Sequence, residues 1–427
     1  MIEQILDLHI HSKYARACSP KLELPNIARA CGEKGITIVA TGDFTHPAWF
    51  KHLEENLEEV GDSGLYELKS KVKSEKSKVR FVFGTEVACI YKDKEKVRRV
   101  HLLLYAPSME TARKLNEALD KEGVNRGSDG RPIFGMTSKK LLKMMLEIDP
   151  KMMMVPAHAW TPWFAVFGSK SGYDTLEECF EELTPEIFSI ETGLSSDPAM
   201  NHRLTNLDGI TLISNSDAHS LGNLGREVNV MQFENEKDVT YYEIRRIIKE
   251  GDKKKFLYTI EFYPEEGMYH WDGHRECKVS LTPAESKKLK DICPVCKKKL
   301  TIGVLHRVDN LGDRLDADIP RDRFIPYRSL VPLKEIIAGS FDVGKGSKKV
   351  EDEYRKMIAE IGSEFYILLH ATSDEIKAHV TNPNVVVGIE NMRAGRVTLS
   401  PGYDGVYGTV DVFSGQKYEG PKQANLL

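Results

Sequence analysis

Between residue 4 and about residue 260 the chain alternates short apolar runs with segments of helical period. The runs are QILDLH near the start, GITIVATGD (35–43), VRFVFGTEVACIY (79–91), RVHLLLYAP (99–107), MMMVPAHA (152–159), EIFSIETG (186–193), GITLISNSDAH (209–219) and FLYTIEF (256–262). Between them lie LPNIARACGEKG, SMETARKLNEALDKEG, TSKKLLKMMLEID and TYYEIRRIIKEG, whose apolar positions follow helical spacing. Strands that are apolar almost throughout, alternating with helices, predict an α/β fold with a parallel sheet covered on both faces. About seven such units favour a barrel over an open, doubly wound sheet.

Past residue 262 the pattern changes. HWDGHREC and DICPVCKKKL have little apolar period, VPLKEIIAG and KKVEDEYRKMIAEIGSEFYILLHATSDEIKAHV are helical, and GRVTLSPGYDGVYGTVDVF (395–413) reads as β-turn-β. SGQKYEGPKQANLL is polar and without period, as flexible tails are. The expected organisation is a barrel over 1–262, a small module over 263–310, a mostly helical C-terminal domain with a hairpin over 311–413, and a tail over 414–427.

The apolar runs share a second feature: nearly all finish in a potential metal ligand. These are His9 and His11, Asp43, Glu86, His101, His158, Glu191, Asp217 and His219. In α/β barrels the C-terminal strand ends make up one face, so residues remote in sequence meet there. Imidazole and carboxylate together suit Zn, Mn or Mg-type ions. On a strand His9 and His11 point the same way, so both can meet one ion, and Glu86 has two oxygens with which to bridge a pair. Two ions about 3.5–4 Å apart can grip a phosphate ester and activate water. Without a glycine-rich phosphate loop or a nucleophile elbow, hydrolysis is expected rather than transfer. Asp7, two residues before His9, is expected to orient one of the histidines rather than to bind metal.

Composition narrows this picture. The 427 residues are 41% hydrophobic and 29% charged with a net charge of −4, as in a multi-domain globular protein that does not grip nucleic acid by bulk charge. No apolar run approaches the roughly 20 residues of a membrane span, and MIEQILDLHIHS lacks a secretory layout, so a cytoplasmic protein is expected. Seven cysteines do not suggest a disulfide framework. Three of them cluster with a histidine as His274-x2-Cys277 and Cys293-x2-Cys296, the spacing of a structural zinc site. His270 and His306 are alternative fourth ligands; the matched spacing favours His274.

DLHIHS, TGD, GTE, VHLLLY, PAH and NSDAH, in that order, resemble the PHP (polymerase and histidinol phosphatase) superfamily. The resemblance implies a distorted (β/α)7 barrel with two or three ions in a phosphoesterase site. By position it makes His9, His11, Glu86 and Asp217 ligands of one ion, Glu86, His101 and His158 ligands of a second, and His219 with Asp43 ligands of a third. Glu86 and Asp217 would be the catalytic carboxylates. Two departures affect the third ion: Asp43 stands where members usually have histidine, and Arg16-Ala17 where many place another. His46 is a nearby substitute ligand, and Arg16 is placed to meet a phosphate.

Other stretches point to DNA. Gly344-Lys345-Gly346 between two helical patterns resembles a helix-hairpin-helix, offering backbone N–H groups and Lys345, Lys348 and Lys349 to a phosphate; a plain glycine-rich turn has the same letters. In PGYDGVYG, Tyr403 and Tyr407 either stack on an extruded base or pack a tight hairpin. Trp160, Trp163 and Phe164 follow His158 and either belong to the core or wedge into a duplex, the latter favoured because loops at this face surround the substrate. With the zinc module and TIGVLHRV, these stretches make almost the whole chain resemble the endonuclease Q family. That resemblance implies hydrolysis of the phosphodiester 5′ to a deaminated base (uracil, hypoxanthine, xanthine) or an abasic site. A phosphatase of small monoesters and a non-catalytic damage-binding protein are the alternatives. The terminal QANLL, Gln423 to Leu427, resembles a sliding-clamp-binding motif.

Overall fold

The computed structural model describes residues 1–70 and 78–413; the proposed clamp motif lies outside them. The opening run forms β1 (Ile2–Asp7), which pairs in parallel with β2 (Ile38–Ala40), Leu6 opposite Ile38. The crossover is the helix Leu24–Lys34, begun by a proline in its first turn and ended by Gly35 at a left-handed φ of 92°. β3 (Arg80–Asp93) adds in parallel to β2, Val39 opposite Phe81.

There the parallel pattern stops. β4 (Lys96–Ala106) returns antiparallel on β3 with Ala88 opposite His101, because Lys94 and Glu95 alone separate the strands and a crossover needs a dozen or more residues. β5 (Met153–Pro156) is antiparallel to β4, whereas β6 (Ser189–Glu191) and β7 (Thr211–Ile213) pair in parallel. β8 (Val228–Phe233) runs antiparallel to β1, and β9 (Phe256–Glu261) antiparallel to β8. β10 (Tyr327–Ser329), from the segment assigned to the C-terminal domain, joins β9 in parallel. The protein is therefore α/β with a mixed sheet, in place of the all-parallel one expected. The β3–β4 hairpin puts Glu86 and His101 mid-strand, on one face of the ladder.

Between the sheet and its helices lies an apolar core with Phe44, Trp49, Phe81, Phe83 and Tyr105 fully enclosed. The segment after β9 contains the antiparallel pair Asp272–His274 with Val279–Leu281. Five helices follow β10, from Leu333–Phe341 to Asn384–Arg393, then the antiparallel pair Thr398–Ser400 and Thr409–Asp411. Among the described residues no helix is long and apolar enough to cross a membrane.

A buried ion pair docks the C-terminal helices on the first crossover helix. Lys34 Nζ lies 3.1 Å from Glu364 Oε2, which also accepts from the Tyr354 hydroxyl (2.9 Å), while Oε1 accepts from the Leu333 N–H (3.0 Å). Gly35 permits the approach, since a Cβ there would lie 2.7 Å from Ser363 Oγ. Burial pushes the Glu364 carboxyl up, but Lys34 and the Leu333 N–H hold it below its ordinary value. Its contribution is therefore present above the unfolded pKa of about 4.3 and lost as pH falls through the lower folded value. Glu364→Gln should cost about 3 kcal/mol in urea unfolding at pH 7, because it leaves Lys34 buried without an anion. The deficit relative to wild type should shrink as the pH is lowered below about 4.

Candidate functional site

Glu86 is fully buried at the centre of a ring of nitrogen atoms. Its Oε1 lies 2.7 Å from His101 Nδ1 and 3.0 Å from His158 Nε2. Its Oε2 lies 3.2 Å from His11 Nε2, 3.7 Å from His9 Nε2 and 2.9 Å from Arg131 Nη1. Asp217 Oδ1 closes the second group, 3.4 Å from His9 Nε2 and 3.2 Å from His11 Nε2. Two clusters result, His9–His11–Glu86–Asp217 and Glu86–His101–His158, each with ligand atoms within 4.8 Å of one another. They coincide with the first two ligand sets expected from the sequence.

The donor set fits divalent cations. His9 Nε2, His11 Nε2 and Asp217 Oδ1 are buried, have no hydrogen-bond partner and face one point. Polar atoms are seldom left so unless something else completes them. The opposite ring nitrogens are held by carboxylates: His9 Nδ1 by Glu191 at 3.0 Å and His11 Nδ1 by Asp43 at 2.9 Å. This arrangement fixes the ring orientation and leaves Nε2 to coordinate. Burial pushes the Asp217 carboxyl up, but His9 and His11 hold it well below the carboxylate range. Burial acts likewise on Glu86 and is outweighed by His101 and Arg131. Both are thus anions at neutral pH. Burial brings His101 down to about 4, neutral and able to coordinate.

Backbone strain holds several of these groups in place. Asp43, His158 and Asp217 have positive φ values of 45°, 30° and 45°, a cost of order 1–3 kcal/mol each that surrounding contacts must offset. For His158 the contact is its N–H donating to Glu191 Oε2 at 2.8 Å. Gly193, in the same ETG stretch, makes room, since a Cβ there would sit 2.5 Å from that of His158.

Four expectations change. Asp43 joins neither ligand cluster: it accepts from His11 and from both the N–H and the hydroxyl of Ser12 (2.6 and 2.7 Å), so its oxygens are engaged. His219 turns Nδ1 to the Asp217 carbonyl at 2.9 Å, and no cluster among the described residues contains His219 with Asp43 or His46. Asp7 does not orient a histidine; it accepts from the N–H groups of Ser216 and Gly225, tying β1 to the Asp217 loop. Trp160 belongs to the core, 1% exposed with its indole N–H on Asn201, and cannot reach a duplex.

The remaining DNA candidates stand at the surface in differing degree. Trp163 is part-exposed, edge-on to Tyr269 at 5.5 Å, and Arg16 and Lys348 are exposed. Lys345 is exposed beside Glu335 at 3.1 Å, and Lys349 lies over the Phe341 ring. Gly344 and Gly346 border open space. Tyr407 is 72% exposed, but Tyr403 is half-buried against Gly273. His274, Cys277, Cys293 and Cys296 bring four ligand atoms within 4.8 Å. His306 is instead paired with Asp272 at 2.5 Å.

Comparison with known proteins agrees with this geometry. Residues 332–396 match a family described as the MJ0043 C-terminal domain. The chain is 32% identical over 270 residues to the uncharacterized protein MJ0043 of Methanocaldococcus jannaschii, covering 61% of this chain and 32% of that one; it thus spans about a third of that relative. It is 27% identical over 418 residues to the uncharacterized protein YqxK of Bacillus subtilis, covering 95% and 98%. The crystal structure of the lesion-specific endonuclease PfuEndoQ from Pyrococcus furiosus superposes with a TM-score of 0.82 at 31% identity, over 96% of this chain and 95% of that one. The chain belongs to the endonuclease Q family. A structure of Endonuclease Q with a 27-mer duplex substrate, an abasic lesion at its active site, matches equally, with a TM-score of 0.82 and 31% identity. In this endonuclease Q family member the two clusters are groups that could hold metal ions.

No sequence pattern marks Arg131, which lies in a polar loop with no apolar run, and Glu191, one of the strand-end candidates, joins neither cluster but holds His9 Nδ1 and the His158 N–H. Manganese titration calorimetry separates ligands from the residues that orient them. Asp43→Asn should weaken binding about 10- to 100-fold with stoichiometry unchanged, whereas Glu86→Gln should abolish it; loss of an ion on Asp43→Asn would restore Asp43 as a ligand.

Proposed function

We propose that the chain is a DNA repair endonuclease that hydrolyses the phosphodiester on the 5′ side of a deaminated base or an abasic site. The observation that carries this is end-to-end likeness to the lesion-specific endonuclease, joined to a Glu86 carboxylate shared by two ligand clusters. Divalent cations bound there, Mg, Mn or Zn, supply a Lewis acid for the phosphate and for the attacking water. The rest is the work of the side chains. His9 and His11, fixed by Glu191 and Asp43, keep the cluster geometry set before substrate arrives. Glu86 and Asp217 hold the negative charge that draws cations to this point, Asp217 from a backbone at φ 45°. Arg16, Trp163, Lys345, Lys348 and Tyr407 are the surface groups that meet DNA, the lysines through phosphates and the aromatics through bases. His274, Cys277, Cys293 and Cys296 hold one zinc with no open position, which makes it structural.

With Mn or Mg, duplexes bearing one uracil, hypoxanthine or abasic site should be nicked on the 5′ side of the lesion and undamaged duplex left intact. Asp217→Asn should abolish nicking and retain lesion binding; a variant that still cuts would remove Asp217 from the site. Cys293→Ser should release one zinc equivalent by elemental analysis and lower Tm by several degrees, about 2–4 °C per kcal/mol for a domain of 150–250 residues, with the manganese sites of the barrel still filled.

A further inference from the structure

Arg131 has no place in the two ligand clusters, yet its guanidinium lies against the carboxylate they share, 2.9 Å from Glu86 Oε2. Among the described residues Glu86 is its one ion-pair partner. The loop that carries it is tied down independently of that contact. The Arg131 N–H donates to Asp129 Oδ1 at 3.0 Å, and the same oxygen accepts from the Arg16 N–H at 3.1 Å. Gly130 donates its N–H to the Tyr14 carbonyl and lies flat on Asp43, where a Cβ would come within 2.5 Å of Oδ2. The Arg131 loop is therefore laced to the turn after His11 and to the carboxylate that orients His11. Its side chain is 26% exposed, so one flank opens outward from the site.

Charge decides what that flank is for. Cations held by both clusters would compete with Arg131 for Glu86 and would leave the guanidinium in a confined place without that anion, an unfavourable arrangement. Two divalent cations and Arg131 carry five positive charges. Against them stand the four carboxylates that line the clusters, Glu86, Asp217, Asp43 and Glu191, while Asp129 also attracts Arg131 but is engaged by the Arg131 and Arg16 N–H groups. A phosphodiester carries one negative charge, and its two non-bridging oxygens match a guanidinium fork.

We infer that Arg131 is a substrate-binding residue, released from Glu86 when cations fill the site and then clamping a non-bridging oxygen of the scissile phosphate. This rests on the endonuclease reading, and the test keeps the two apart. Duplex with one abasic site is prepared with a normal or a neutral methylphosphonate linkage 5′ to the lesion, and binding is measured with calcium for wild type, Arg131→Gln and Arg131→Lys. Wild type should lose about ten- to a hundredfold in affinity on the methylphosphonate, the strength of a charge-assisted contact. Arg131→Gln should bind the normal duplex about tenfold more weakly and show a smaller methylphosphonate penalty than wild type, the remainder being what the cations lose, and Arg131→Lys should fall between. Manganese stoichiometry should be unchanged in both variants. If Arg131→Gln keeps the full methylphosphonate penalty, or loses manganese, Arg131 only holds Glu86 in place and the inference falls. Failure of wild type to bind or nick any lesion duplex would overturn the endonuclease reading instead. Arg131 would then be judged on bis(p-nitrophenyl) phosphate, where Arg131→Gln should raise KM at least tenfold and an unchanged KM would refute it.

Discussion

The architecture of the site depends on one buried carboxylate. Glu86 is fully enclosed in the middle of a long strand, with two histidines against one oxygen and two histidines and an arginine against the other. An isolated anion at that depth would be prohibitively unfavourable. Surrounded in this way it is instead the charge around which the His9–His11 stretch after β1, the strands β3 and β4, and the His158 and Asp217 loops are assembled. Each of these elements contributes a group that only makes sense if Glu86 is where it is.

Around that centre the fold is stiffened layer by layer. Glu191 fixes the ring of His9 and the backbone of His158, so one side chain couples both ligand clusters. Asn215 in turn donates to Glu191 at 2.9 Å and accepts from the N–H of Leu8, which ties the support to the stretch carrying His9. Asp7 joins β1 to Gly225, and Gly225 packs against Phe365 of the C-terminal helices. This hydrogen bond and glycine add to the Lys34–Glu364 pair in joining the C-terminal helices to β1 and its crossover helix.

How much of this was legible in the sequence follows from what patterns encode. His9, His11, Glu86, His101, His158 and Asp217 stand out because each interrupts or ends an apolar run, where a polar residue needs a reason. The antiparallel return of β4 was also there to be read, since too few residues separate the two apolar runs to hold a helix, but the count of βα units obscured it. Asp43 falls outside the two clusters, which the sequence could not show because orienting carboxylates and ligating ones are the same residue type at the same spacing; only their partners differ. Trp160 was misjudged because an aromatic after a ligand looks the same whether it faces substrate or core. Arg131 was silent, being one arginine in a polar loop, and only the three-dimensional approach to Glu86 distinguishes it.

The central claim is that Glu86 is the shared ligand of two ions. Anomalous diffraction at the manganese edge from crystals of the metal-loaded protein tests it directly. The account predicts two peaks, one among His9, His11 and Asp217 and one beside His101 and His158, both within coordinating distance of Glu86. A lone ion, or two that leave Glu86 on Arg131 alone, would contradict it.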